Sequence, residues 1–371
     1  MPNEFENDFR SDIINFLKKL ERENKLFQFN PVINGNTTYG NNLQLGFSCY
    51  VLKCYHMLGL WDELEESKKT MWIDYINSFQ KDVKYLPQNS FIDDAIKNYY
   101  ESYRVKLSLK NFLKKILASL KISNYKSINK IYLETVRAET KQAIATIFEL
   151  GNTNKLKFTE FPRTKSDIEN FLNNLNWNHP WTSGAQFAAI AVFTSTQLDD
   201  LESKQNSDIM YSYLDNFVDS ETGLYLNGNQ RNSSELINGA MKVLSGLDWL
   251  QKPIHYPKEL IDFCLKNKPK YEGCDIVDMV YVLYRCSKES DYRKEDIQTY
   301  FEEIKNQINL HYHPSLGGFS YFQSKSQNFY YGLKITDGNN EADLHGTTLL
   351  LWAYSMIENF NGSKKYKVIK P

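Results

Sequence analysis

The sequence has little cysteine and almost no net charge, and both shortages narrow the classes of protein to which it can belong. Its five cysteines are odd in number and include no Cys-x-x-Cys pair, which is typical of reduced thiols rather than of a disulfide framework. We therefore expect a cytoplasmic protein. The 44 basic and 45 acidic side chains give a formal net charge of -1, so no overall field favours nucleic acid or an anionic membrane.

Long apolar runs and linker sequences are missing as well. No apolar run approaches the roughly 20 residues that span a bilayer, and the polar start Met1 to Arg10 lacks the apolar core of a signal peptide. No Pro/Gly/Ser-rich stretch or low-complexity tract divides the chain, so we expect residues 1–371 to form one domain. Nothing in the sequence indicates an oligomeric state.

Six segments of the sequence share one pattern, in which a loop rich in Gly, Asn or acidic residues opens a short, almost wholly apolar helix. Such helices are expected to be buried. They are Gly46 to Leu60, Arg137 to Gly151, Trp181 to Gln197, Leu236 to Leu250, Cys274 to Ser287 and Asp343 to Phe360. Amphipathic stretches alternate with them: Glu4 to Arg22, Trp61 to Phe79, Lys165 to Leu175, Ser207 to Val218, Pro257 to Leu265 and Tyr292 to Leu310.

The alternation of six outer and six inner helices predicts an all-α fold, an (α/α)6 toroid in which each helical hairpin is stabilised by its neighbours. Residues 93–130 are predicted to be a helical insertion, and the basic tail Lys364 to Pro371 to be solvated. Because the N-termini of the inner helices would meet at one mouth, the residues just before them are expected to line a central pocket.

Polar, titratable and aromatic residues are frequent at those positions, and the 25 tyrosines of the chain suit the wall of a binding pocket. Trp181 suits stacking on a sugar or an isoprenoid, or it fills the core. Arg137 and Glu139 suit an anion and a proton donor, or they form an ion pair with each other. The substrate-binding candidates are Tyr39, Arg137, Glu139, His179, Trp181, Arg231, Glu235, Tyr330 and Tyr331.

The richest stretch is Glu341-Ala-Asp343-Leu-His345, at the start of the last inner helix. Its three titratable residues are candidate catalytic residues. Neighbours at i and i+2 point apart in a helix, so all three converge only if the segment is extended before the helix begins. The alternative is an acidic N-cap, in which Asp343 caps the helix and a neighbour satisfies His345.

A second cluster opens the fifth inner helix. Glu272 and Cys274 flank a glycine there, while Asp275 and Asp278 share a helix face at i, i+3 and are further catalytic candidates. An acidic residue, a cysteine two positions later and a histidine on the next inner helix resemble the zinc site of the β subunits of protein prenyltransferases. The same toroid is shared by terpenoid cyclases.

This resemblance covers roughly the last half of the chain, and the turns at Asp219 to Tyr225 and Leu316 to Phe319 are similar to that family's turns. It implies a catalytic zinc held by Glu272, Cys274 and His345, with an open fourth position for a substrate thiolate. Several features depart from the family. An Asp is replaced by Glu272, the Gly-Gly-x-x-Gly turns are mostly missing, and so is the Asp-x-Asp-Asp motif of the cyclases.

No compact Arg/Lys cluster that would grip a diphosphate is visible either, although three basic residues are available: Arg231, Lys325 and Lys334. The alternative to zinc is that Cys274 is a small buried residue and Glu272 a surface acid.

Three functions stay open, because such toroids carry many chemistries. The first is a prenyltransferase-like or cyclase-like enzyme for an isoprenoid or lipid-linked substrate, with or without zinc. The second is a carbohydrate-active enzyme, namely a polysaccharide lyase, glycoside hydrolase or sugar epimerase, that uses a Tyr/His couple or pocket carboxylates. The third is a non-catalytic binding module. The order of the motif residues on two successive inner helices slightly favours the first. The carboxylates available to the second are Glu139, Glu235, Asp275, Asp278, Glu341 and Asp343.

Overall fold

Helices make up most of this chain, as the sequence predicts. The computed structural model describes residues 9–106, 127–228 and 232–371. Its helices are α1 Phe9–Leu20, α2 Thr38–Asn42, α3 Leu45–Met57, α4 Leu60–Glu63, α5 Glu66–Asn77, α6 Asp94–Lys106, α7 Ile128–Glu149, α8 Lys165–Asn173, α9 Pro180–Gln197, α10 Asp200–Asp215, α11 Ser233–Leu250, α12 Pro257–Lys266, α13 Cys274–Ser287, α14 Lys294–Asn309 and α15 Leu344–Phe360. None of the described helices is long and apolar enough to cross a membrane.

The described strands are six two-residue segments that form three antiparallel ribbons. They are β1 Gln80–Lys81 with β2 Ser90–Phe91, β3 Tyr312–His313 with β4 Gly318–Phe319, and β5 Phe329–Tyr330 with β6 Leu333–Lys334. The last two ribbons lie in the connection between α14 and α15. This connection is therefore folded into hairpins, which the helix pattern of the sequence does not predict.

The six predicted inner helices correspond to α3, α7, α9, α11, α13 and α15, which we call the central helices. α13 has the predicted bounds. α7 begins at Ile128 rather than at Arg137, because Ser127 caps it by accepting a hydrogen bond from the backbone N–H of Lys130. The predicted insertion is accordingly shorter: it contributes α6, its last residues belong to α7, and its middle, 107–126, lies outside the described residues.

The central helices pack in a cyclic order. Each contacts the next one along the chain, and α15 packs back against α3. The closest crossing is that of α9 with α11, where small residues let the backbones approach. A Cβ atom on Gly239 would lie 2.6 Å from Cβ of Pro180, and one on Gly184 would lie 2.9 Å from the carbonyl oxygen of Gly239. Glycine is therefore required at both positions.

The amphipathic helices bury one face against the central ones. In α14, which packs on α13 and α15, the buried residues recur at helical spacing: Ile297, Tyr300, Phe301, Ile304 and Ile308. The predicted second outer helix is broken into α4 and α5, since Leu64 and Glu65 are extended.

The C-terminal tail is docked on the protein, so the prediction of a solvated end was wrong. Tyr366 and Ile369 are only 3% and 4% exposed. The backbone N–H of Lys367 donates to the carbonyl of Met57 at the end of α3, and Trp249 Nε1 at the end of α11 donates to the carbonyl of Pro371. The apolar side chains of Tyr366 and Ile369 stand among basic residues, and their burial explains why the tail packs on the protein instead of extending into solvent.

Candidate active site

The two sequence clusters meet at one tyrosine. Tyr321, in the loop after β4, places its hydroxyl 3.1 Å from Sγ of Cys274 at the start of α13. Its ring stacks on the imidazole of His345 in the first turn of α15, with ring centroids 5.2 Å apart. Residues far apart in the sequence are thus neighbours at the N-terminal ends of α13 and α15.

Glycines fix Tyr321 in this position. A Cβ on Gly273 would lie 2.6 Å from the Tyr321 ring, and one on Gly346 would lie 2.4 Å from the Tyr321 backbone nitrogen. Gly273 also has φ +59°, which favours glycine, and its N–H donates to the Tyr321 carbonyl at 2.9 Å. The ring is therefore held between the starts of two helices.

His345 is stacked between tyrosines and held by one hydrogen bond. Tyr50 of α3 stacks on it with centroids 4.8 Å apart and planes 10° apart. Nδ1 of His345 bonds to Oε1 of Gln327. An amide oxygen can only accept, so this contact assigns the imidazole proton to Nδ1 and leaves a lone pair on Nε2. No described residue hydrogen-bonds Nε2.

The imidazole is neutral at physiological pH. Burial, with the positive charges of Lys242 and Lys53 added, lowers the pKa of His345 to about 3. The side chain is nevertheless partly exposed to solvent. Nε2 has no hydrogen-bond partner among the described residues, but with so low a pKa the imidazole is a weak base. It can accept a proton where an anion offsets the lysine charges that lower its pKa.

The start of α13 carries two carboxylates on one helix face, as predicted. Asp275 accepts a hydrogen bond from Nδ2 of Asn238 in α11 at 3.0 Å. Asp278 is buried, and its Oδ2 has no hydrogen-bond partner among the described residues. Burial raises the pKa of Asp278 to about 7, although Lys242 acts in the opposite direction. Burial likewise raises the pKa of Cys274 to about 11, which keeps it a thiol.

The β5–β6 hairpin places a tyrosine against α7. Its two-residue turn, Tyr331-Gly332, has φ values of +45° and +87°, as tight hairpin turns require. Tyr330 donates a hydrogen bond to Oε1 of Glu139, while Oε2 of Glu139 is buried and has no partner in the described part of the chain. Burial raises the pKa of Glu139 to about 8. Tyr331 is a non-glycine residue in left-handed backbone, a strain that often marks functional sites.

Glu341 and Asp343 hold loops rather than join His345. Asp343 has the extended backbone that convergence requires, yet it is the N-cap of α15, with Oδ1 2.7 Å from the N–H of Gly346. Its Oδ2 accepts from the N–H groups of Tyr321 and Gln327 at 2.7 and 3.1 Å. Burial raises the pKa of Asp343 to about 7 against these hydrogen bonds. The N-cap alternative thus describes Asp343.

Glu341 lies against a different segment of the chain. Its Oε2 accepts from the backbone N–H of Asn34 at 2.9 Å. The three titratable residues of this stretch therefore do not converge on one point.

The predicted zinc ligands are not assembled into a metal site. Among the described residues, no group of three His, Cys, Asp or Glu side chains is arranged to hold a metal ion. Glu272 is exposed, Sγ of Cys274 contacts the Tyr321 hydroxyl, and Nδ1 of His345 contacts Gln327. Zinc therefore stays a prediction from the resemblance.

Several predicted substrate-binding residues are exposed to solvent. Tyr39 is 39% exposed and packs edge-on against Tyr99, and His179 is exposed. Trp181 is 40% exposed, and its N–H donates to Oε1 of Glu235 at 3.3 Å. Arg231 lies outside the described residues.

Arg137 does not pair with Glu139. Its guanidinium bonds to Oε1 of Gln186 in α9 and lies over the ring of Phe171, 5.2 Å from the centroid. The ion-pair alternative for Arg137 and Glu139 therefore does not apply.

Three lysines at the site were missed by the sequence reading: Lys53 in α3, Lys141 in α7 and Lys242 in α11. Each is partly exposed, and none makes a hydrogen bond or an ion pair with a described residue. A signal was available for two of them, because Lys53 and Lys242 are lone charged residues among small and apolar ones, as in YVLKCY and GAMKVL. Lys141 gave no such signal, since Arg137 and Glu139 lie close to it in the sequence. Tyr50, Tyr321 and Gln327 were missed too, because only tertiary contacts bring them to His345.

No model of a known protein family matches this sequence, and no curated protein matches it. The function is therefore inferred from the geometry of the site alone.

Proposed function

We propose that this chain is a carbohydrate-active enzyme of the lyase or epimerase type, built on an (α/α)6 toroid. The cyclic packing of the central helices supports the toroid. Contacts between successive helix starts support a common mouth, since Tyr50 meets His345 and Asn238 meets Asp275. The site would lie at the hub, where the helix N-termini converge.

One observation carries the chemistry: a neutral imidazole with an unbonded Nε2, stacked by two tyrosines. Burial raises the pKa of Tyr50 and of Tyr321, so both hydroxyls are protonated at neutral pH. The hydroxyl of Tyr50 makes no hydrogen bond with a described residue. His345 is thus suited to act as the base, and Tyr50 as the acid.

In the proposed reaction, Nε2 of His345 removes the proton from the sugar carbon next to a carboxylate. The electron pair left on that carbon forms a double bond as the bond to the neighbouring glycosidic oxygen breaks. The Tyr50 hydroxyl protonates the departing oxygen, so the reaction needs no oxidant and no water. An epimerase would instead return a proton to the opposite face of the same carbon.

The other candidate functions receive less support. A hydrolase needs an ionised carboxylate beside a protonated one. Asp343, Glu341 and Asp275 are bonded to backbone or amide groups. Asp278 and Glu139 each have an oxygen without a described partner, but burial raises the pKa of both and so disfavours the ionised form. An isoprenoid cation would form beside three lysine side chains, which repel it. A binding module would not require a neutral histidine between two protonated tyrosines.

A substrate screen with matched variants tests the proposal. The purified protein is incubated with neutral and uronate-containing polysaccharides, and unsaturated sugars are followed by ultraviolet absorbance beside new reducing ends. We expect unsaturated products, or C-epimerised uronates, from the acidic polymers only. His345→Ala and Tyr50→Phe should each lower kcat by about 10²–10⁴-fold. The control Tyr292→Phe, at an exposed tyrosine whose hydroxyl donates to Asp262, should keep its rate within about two-fold of the unmodified protein.

Two outcomes oppose the proposal. Reducing ends without unsaturated sugars would show a hydrolase. Full activity of the His345→Ala variant would show that His345 is not the base.

A further inference from the structure

Three lysines at the site come from three different central helices, and their charges act on one another. Lys53 follows Tyr50 by three residues and so shares the helix face that stacks on His345. Lys242 follows Asn238 by four residues and so shares the face that bonds to Asp275. Lys141 adjoins Gln142, whose Nε2 donates to the carbonyl of Gly46 in α3 at 3.2 Å.

Electrostatics agree with this placement. Burial lowers the pKa of Lys141 far below its usual value, and the charges of Lys53 and Lys242 lower it further. Burial also lowers the pKa of Lys53, on which Lys242 acts in the same direction. Lys242 and Lys53 both act on His345 as well. The three amines are therefore close to one another and to the proposed base.

No described acid forms an ion pair with any of the three lysines. The acid that acts on Lys53 is Glu149 at the end of α7, whose Oε1 accepts from the backbone N–H of Lys370. Asp278 lies near Lys242, but burial favours the protonated form of its carboxyl. Like charges that are partly buried without a counter-ion destabilise a fold, so their grouping calls for an anionic ligand.

We propose that Lys53, Lys141 and Lys242 bind an anionic group of the substrate, either a carboxylate or a phosphate. This inference rests on the proposed function, which it deepens by naming the substrate as an acidic sugar derivative. Lysine recognises such groups as a point charge, and three converging ammonium groups suit one compact anion. Neutralising a carboxylate also makes the neighbouring C–H proton easier for His345 to remove.

Ligand binding without turnover tests the anion site. The probes are galacturonate, glucuronate, inorganic phosphate and pyrophosphate, with glucose as the neutral counterpart and sodium chloride keeping the ionic strength constant. Thermal unfolding and isothermal titration calorimetry are measured on the full chain. We expect at least one anion to raise Tm by several degrees at millimolar concentration, while glucose and chloride do not.

Single lysine variants make the test specific. Lys53→Met, Lys141→Met and Lys242→Met should each weaken anion binding about ten-fold or more. The control Lys294→Met removes an exposed lysine that is paired with Asp291 and should leave the affinity unchanged. The variants are expected to be at least as stable as the unmodified protein, because each removes repulsion, so misfolding does not explain a loss of binding.

The probes also separate the two sources of charge. Binding of the uronates supports a carboxylate, and binding of phosphate or pyrophosphate supports a phosphorylated sugar. Equal stabilisation by chloride, or anion binding that survives in all three lysine variants, would overturn the site. If the anions bind and no polymer is turned over, the lysine site stands and the lyase proposal fails.

Discussion

Buried charged groups have partners at the C-terminal ends of the central helices and lack them nearer the N-terminal ends. At the C-terminal ends, Asp248 of α11 has a partner for each oxygen: Arg285 Nη1 at 3.2 Å and the Tyr281 hydroxyl at 3.3 Å. The docked tail lies at the same end, with Lys370 Nζ 4.0 Å from Asp248. Nearer the N-terminal ends, Asp278 has an oxygen without a partner among the described residues. The three lysines, each at or beyond the middle of its helix, have no ion pair with a described residue either.

This difference separates structural from functional charge. A buried ion pair whose partners satisfy each other holds helices together and needs no ligand. Groups that are buried without partners lower stability, and proteins tolerate them mainly at sites that bind or react. We therefore place the proposed site towards the N-terminal ends, and we expect substitutions of partnered and of unpartnered charges to change the free energy of unfolding in opposite directions.

The largest effect on stability is expected from Asp343→Ala, which removes a hydrogen-bonded carboxylate at the N-terminal end of α15. Its carboxylate accepts three backbone N–H groups, those of Gly346, Tyr321 and Gln327. Leaving these amides unpaired should lower the free energy of unfolding by about 3–5 kcal/mol. Urea denaturation measures the loss. His345→Ala is the control and should lose less than half as much, whereas equal losses would give His345 a structural role.

A smaller loss is expected from Asp248→Ala at the paired end. It leaves Arg285 without its acid, in a pair whose side chains are 15% and 21% exposed. We expect the free energy of unfolding to fall by about 1–3 kcal/mol. The control Asp62→Ala breaks the exposed pair with Lys367 and should cost about 0.5 kcal/mol or less. A loss no larger than that of the control would show that the paired end contributes nothing.

Asp278→Asn is expected to raise the free energy of unfolding, whereas the two preceding substitutions lower it. Burial raises the pKa of Asp278 from 3.8 to about 7 in the folded protein. As the pH rises from about 4 to 7, the unfolded state has already lost the proton that the folded state retains, so stability falls over this range. Asparagine stays neutral, and the variant should be more stable by about 1–3 kcal/mol at pH 8.

The same difference should shrink towards zero near pH 3, where both states of the unmodified protein hold most of the proton. Chemical denaturation at the two pH values measures it. If Asp278→Asn is destabilised at pH 8, the carboxylate has a stabilising partner and the contrast between the ends is lost.

Much of the fold was predictable because burial leaves a periodic mark on the sequence. The bounds of α13 follow from an apolar run that a glycine opens. The start of α7 did not follow, since its first two turns have a polar face and look like an outer helix. The docked tail was missed because Tyr366 and Ile369 are too few to form a period.

The site was predictable only where helix starts define it. Cys274, Asp278 and His345 were named because each opens a central helix, and the structure brings Cys274 and His345 to Tyr321. The bond of Tyr330 to Glu139 spans 191 residues of sequence, which no local pattern encodes. Likewise, no local pattern shows that the anion-binding candidates come from three different helices.

The smallest expected change in stability comes from Lys141→Met, which tests the same comparison with a basic residue instead of an acidic one. Burial lowers the pKa of Lys141 well below 10.5, its value in the unfolded chain, so the unfolded state binds the proton more tightly and protein stability rises with pH towards 10.5. Methionine carries no charge, so the variant should be more stable by about 1 kcal/mol at pH 6, with a smaller advantage at pH 9.5. Thermal unfolding at both pH values measures this, with Lys334→Met as the exposed control. A variant destabilised at both would mean that Lys141 contributes a favourable contact, and the lysines would then belong with the paired charges of the other end.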